Sequence, residues 1–175
     1  MATDEPPAAV GVPKAYENGA IDMTAAEYFE IGLKSLFAGD YEIALDALSQ
    51  AIRLDPDFGE AYAYRGLAQY RLGNYDAAMA HYDRAAELSP TIGESYYFRA
   101  IVHGERKEYE KAIRDYTKAI ELKPKLIEAH YFRALNYGAV GRYEEAIKDM
   151  KTAAEAGYEP AERFLETHKV KPEWN

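Results

Sequence analysis

Small, aromatic and leucine positions return along this chain every 34 residues. Tyr41, Tyr75, Tyr109 and Tyr143 mark the step, and Ala44, Ala78, Ala112 and Ala146 repeat it. So do Ala51, Ala85, Ala119 and Ala153, then Leu54, Leu88 and Leu122, and finally Pro56, Pro90 and Pro124. Within each period the apolar positions follow helical spacing in two blocks. Helices are expected near 25–38 and 41–53, 59–72 and 75–87, 93–106 and 109–121, and 127–140 and 143–155. Thr24 and Glu27 form a capping box, so the first helix should begin at Ala25. Gly39-Asp40, Gly73-Asn74 and Gly141-Arg142 supply a left-handed turn inside three of the pairs. Lys107-Glu108 stands in that place in the third pair, where the turn must be strained or altered. Asp55-Pro56, Ser89-Pro90 and Lys123-Pro124 end the second helices, because the residue before proline is pushed out of helical geometry.

A unit of this length cannot bury its apolar face alone and must stack on its neighbours. The expected fold is therefore an all-α solenoid of four helix pairs, about 25–58, 59–92, 93–126 and 127–158. Its last repeat ends differently, with Gly157-Tyr158 where the others have residue-proline. A short amphipathic helix near 160–168 follows, with Ala161, Phe164 and Leu165 against Glu162, Arg163 and Glu166, as a capping element requires. Residues 1–23 read as an irregular leader, 24–168 as the repeat domain and 169–175 as a tail. The leader is either a frayed end or a cover for the first repeat, whose Phe29, Ile31, Leu33, Leu36 and Phe37 have no preceding helix to pack on. Trp174 poses the same alternative against the final helix.

Composition narrows the function. Thirty acidic against 21 basic residues give a net charge of -9, which argues against nucleic acid and against anionic lipid surfaces. The chain has no cysteine, hence no disulfide framework and no thiolate site. Neither a secretory signal nor a run of about eighteen apolar residues is visible, so a cytoplasmic protein without membrane association is expected.

The repeat columns resemble the tetratricopeptide repeat (TPR) family. Tyr28, Tyr62, Tyr96 and His130 match its large first-helix residue, and Gly32, Gly66, Ala100 and Ala134 its small one four positions on. Leu48, Tyr82, Tyr116 and Met150 lie between the alanine columns of the second helices. The resemblance implies a right-handed superhelix whose first helices line a concave groove. It also implies protein binding, with no catalysis and no cofactor.

No catalytic constellation competes with that reading. His81, His103, His130 and His168 fall in four different columns. His103 and His130 should lie roughly 10 Å apart along the helix axis, too far to share a metal. Arg65, Arg99 and Arg133 share one column. They form either an anion ladder or intra-repeat pairs with Asp115 and Asp149 sixteen residues on, His81 taking that place for Arg65.

In the family geometry, the candidate groove holds Phe29, Tyr97 and Tyr131, then Leu33, Ile101 and Leu135. Tyr70 follows one turn on, where Gly104 and Gly138 leave room in later repeats. Tyr64, Phe98 and Phe132 run beside these residues, and Glu60, Glu94 and Glu128 form a lip. TPR modules that clamp chaperone tails carry Lys and Asn at the places of Phe29, Leu33 and Tyr64, and basic residues at those of Glu94 and Phe98; none is present here. The expected partner is a protein or peptide segment with apolar anchors and basic residues, bound by a monomeric adaptor or assembly factor. A self-associating homo-oligomeric scaffold is the alternative.

Overall fold

The computed structural model describes residues 23–168. The proposed docking of the leader and of Trp174 lies outside the described residues. Nine helices and no strand occur among them: α1 Ala25–Ala38, α2 Tyr41–Leu54, α3 Gly59–Arg71, α4 Tyr75–Leu88, α5 Gly93–Glu105, α6 Tyr109–Leu122, α7 Ile127–Ala139, α8 Tyr143–Glu155 and α9 Glu159–Thr167. Thr24 caps α1 through the reciprocal bonds expected of it: the Glu27 amide donates to the Thr24 hydroxyl, and the Thr24 amide to the Glu27 carboxylate.

Each pair packs as a hairpin because its facing residues are small. A Cβ at Gly32 would lie 2.6 Å from Leu48, and one at Gly66 2.6 Å from Tyr82. That approach lets Tyr82 and Tyr116 sit at 0% and 1% exposure inside their repeats. Among the described residues Lys107 is the only non-glycine with positive φ, at 59°. Its amide donates to the Gly104 carbonyl and the Glu108 amide to that of His103, the same closure seen at Gly39 and Asp40. The strain expected at this turn is therefore present. Lysine adopts a left-handed conformation costing an L-residue roughly 1–2 kcal/mol.

The arginine column is structural at two places and incomplete at a third. Arg99 on α5 holds Asp115 on α6 with two bonds, 2.7 and 2.8 Å, and reaches back to Asp83 on α4 at 2.7 Å. Arg133 on α7 holds Asp149 on α8 at 2.6 and 2.8 Å and reaches Thr117 on α6 at 3.0 Å. Each arginine thus ties its own second helix to that of the repeat before. The bonds to Asp115 hold the Arg99 guanidinium above its ordinary pKa against burial. Burial opposes the Asp149 charge, yet bonds from Arg133 and His130 keep its pKa below the usual carboxylate value. Arg65 has no such acid, and its Nε is buried without a hydrogen-bond partner. His81 stands beside it with a pKa pulled down to about 4, by burial first and by the Arg65 charge second.

Candidate partner-binding groove

The first helices bring six of the seven expected aromatic residues into one continuous line, while Tyr70 meets Tyr75 of α4 at 5.6 Å. Phe58 meets Phe29 at 4.8 Å between ring centres, and Phe29 meets Tyr64 at 5.7 Å. The line continues through Tyr64–Phe98 at 6.0 Å, Phe98–Tyr97 at 5.5 Å and Tyr97–Phe132 at 6.4 Å. It ends at Tyr131, 5.3 Å from Phe132 and 5.2 Å from Tyr158 beside the cap. All are half-buried, so each ring is packed in part and reaches solvent in part. Leu33 and Ile101 are half-buried alongside them, and Leu135 is exposed at 39%.

Where Gly104 removes a side chain, a cavity of about 510 Å³ opens. Tyr70 and Arg71 of α3, Tyr97 and Glu105 of α5, and Phe132 and Leu135 of α7 contribute to its wall. Tyr116 of α6, Gly104 and Asn136 also border it. The Asn136 amide donates to the Phe132 carbonyl at 2.8 Å, while its own oxygen is buried without a donor. That oxygen lies 3.3 Å from where a Gly104 Cβ would sit. A Cβ at Gly138 would meet nothing within 4 Å.

The Tyr70 hydroxyl donates to Glu105 at 2.5 Å, and burial together with that carboxylate pushes its phenol pKa up. Burial pushes Tyr97 up to about 12, with the Glu128 charge adding to it. Both phenols therefore stay protonated near neutral pH and act as neutral hydrogen-bonding groups.

The lip is less acidic than its sequence column suggests. Glu60 is exposed, but Glu94 is paired with Lys123. Glu128, half-buried, has no ion pair with a described residue and acts on Tyr97 and Tyr158 through its charge. Sequence columns alone missed Lys123, Arg71 and Glu105. The signal lay one residue past the Tyr70–Gly104 column, where arginine and glutamate follow each other at the repeat step.

A larger hollow of about 1240 Å³ lies along α8. Every residue lining it comes from that helix and the turn before it, so no second wall faces across. The groove cavity, walled by three first helices, is the better-formed site. Among the described residues no group of three or more potential ligands could hold a metal ion, and no helix is long and apolar enough to cross a membrane.

These features define an interaction solenoid, and the comparisons with known proteins agree. Tetratricopeptide repeat models match residues 25–91, 93–126 and 127–156. The chain belongs to the tetratricopeptide repeat family. No curated protein matches it in sequence. A crystal structure of MamA superposes with a TM-score of 0.68 at 29% identity, covering 79% of this chain and 81% of that one. MamA from residue 41 onward of Desulfovibrio magneticus RS-1 gives 0.66 at 26%, covering 75% of each chain. The first TPR domain of human RPAP3 gives 0.64 at 25%, covering 69% of this chain and 95% of that one. A further RPAP3 structure, the first TPR of Spaghetti bound to the HSP90 peptide SRMEEVD, shares the fold with a TM-score of 0.64 at 24% identity.

Proposed function

We propose that this protein is a non-catalytic adaptor or assembly factor that holds a segment of a partner protein in its concave groove. The observation that carries this reading is the unbroken line of half-buried rings beside a walled cavity. Rings that only stacked repeats together would have no need of an open cavity between them, and contiguous exposed apolar surface is the usual mark of a binding site. The RPAP3 structure with a bound peptide supports the mode of binding. Its recognition does not carry over, because the clamp places hold Phe29, Leu33, Tyr64, Glu94 and Phe98. Glu60 and Glu128 favour a segment with at least one Lys or Arg. The repeat domain spans 24–168, and the working unit is a monomer.

Crosslinked affinity capture with the full chain, compared with Tyr131→Ala, tests this. Partners should be lost from the variant while helicity is kept. Partners retained by the variant would refute a groove site. Mass in solution should stay near 19.7 kDa as concentration rises; growth with concentration would favour the scaffold instead.

A further inference from the structure

We propose that the cavity walled by α3, α5 and α7 is an anchor pocket for one aromatic side chain, read together with an acidic residue that meets Arg71 and a basic residue that meets Glu128. This rests on the groove reading above and specifies what the groove reads. At about 510 Å³ the cavity falls within the range of ligand pockets, roughly 300–1,000 Å³. Its ring-bearing walls suit an aromatic guest, which prefers edge and offset contacts with its neighbours. Gly104 is the residue that keeps it open.

The charges around it are unequally satisfied. Glu105 already accepts the Tyr70 hydroxyl. Arg71, at the same place one repeat earlier, lines the cavity but makes no side-chain hydrogen bond or ion pair with a described residue. It is exposed, within electrostatic reach of Tyr70, Tyr82 and Tyr97. An exposed guanidinium lining a ring-walled cavity without a counter-ion is suited to a carboxylate, for which its fork is shaped. On the opposite lip Lys123 answers Glu94, which leaves Glu128 as the acid able to take a cation beside the cavity.

Helix geometry sets the spacing. Glu128 repeats the level of Glu94, and Arg71 that of Glu105. Along α5 the first level lies about 10 Å from Ile101 and the second about 6 Å on its other side. An extended segment advances about 3.3 Å per residue. The basic residue therefore falls about three positions from the aromatic one, and the acidic residue about two positions beyond it. Long side chains cover the sideways step to the neighbouring helix. Either chain direction satisfies this order.

Short random peptides displayed on phage and selected on the full chain provide the test. Selected peptides are then synthesised with a fluorophore and titrated by anisotropy. They should share an aromatic residue between a basic and an acidic one at these spacings. Gly104→Leu, which fills the cavity, should weaken them about tenfold or more, with circular dichroism unchanged. Arg71→Glu, an exposed substitution, should weaken them similarly and recover when the peptide's acid becomes lysine. Asp46→Ala, exposed on α2 and outside the cavity wall, should leave affinity alone. Peptides lost on Tyr131→Ala but indifferent to Gly104→Leu and to their own acid would overturn this pocket and leave the groove reading standing. If no peptide is enriched, or binding ignores every groove substitution, both fall.

Discussion

Arg65 is the one arginine of its column without a carboxylate, and supplying one should stabilise the protein. In the neighbouring repeats the acid at that place is nearly buried, with Asp115 and Asp149 side chains 12% and 7% exposed. His81→Asp would reproduce their two-bond fork on a guanidinium whose Nε already lacks a partner. Hydrogen bonds to charged groups contribute about 1.5–3 kcal/mol. Desolvating the new carboxylate takes back much of this. Loss of the His81–Tyr62 ring contact, 6.2 Å between centres, takes about 0.5 kcal/mol more. The net expectation is a gain of about 1 kcal/mol, or roughly 2–4 °C in Tm for a chain of this size. Thermal and urea unfolding of His81→Asp, Arg65→Met and the double variant would measure it as a coupling energy. The carboxylate would be held below its unfolded pKa, so the gain should be full above about pH 4 and fade below it. A destabilised His81→Asp, or an equal gain when Arg65 is already methionine, would refute the reasoning.

In the native protein His81 sets a different pH response. Its ring is held at about 4 rather than 6.5, so only the unfolded chain takes up the proton between those values. Stability should be full above pH 6.5 and fall towards pH 4, and His81→Gln should flatten that slope in urea titrations. Lys107→Gly should relieve the left-handed strain and raise stability by about 1 kcal/mol, seen as a higher urea midpoint at unchanged slope; no change would mean the turn is relaxed. Tyr116→Ala, emptying a site 1% exposed, should cost about 3–5 kcal/mol. Tyr131→Ala should cost clearly less, and equal losses would make the groove ring a core residue.

The helices were legible because each kind of boundary carries its own signal. Small residues allow the pairing, Gly or a forced left-handed residue turns it, and proline ends it. Even the exception at Lys107 showed, since a missing glycine in a fixed column is itself a signal. What failed to show depends on contacts between columns. Arg99 was visibly suited to Asp115, sixteen residues on, but its bond to Asp83 requires knowing that α4 and α5 lie side by side. Lys123 neutralises Glu94 across 29 residues of chain, and a column of glutamates gives no hint of it. Of the seven rings expected in the groove, six meet in one line and Tyr70 pairs with Tyr75 instead, yet half-burial of each follows from how adjacent repeats lean on one another. A cavity is a volume between three helices, and Gly104 marks its place without revealing its walls.

The junctions between repeats are made of different materials. Between the first and second repeats, a single buried cluster runs from Leu36 and Leu48 to Ala61 and Leu67. Between the second and third, the buried cluster shrinks to Ala78, Tyr82 and Val102, and charged contacts take over. Arg99 meets Asp83 at 2.7 Å, Arg106 meets Asp76 at 2.5 Å and Tyr70 meets Glu105 at 2.5 Å. Cooling weakens apolar burial, and added salt screens exposed ion pairs. Cold therefore loosens the first junction and salt the second. The solvent, more than the order of the repeats, chooses where this superhelix parts.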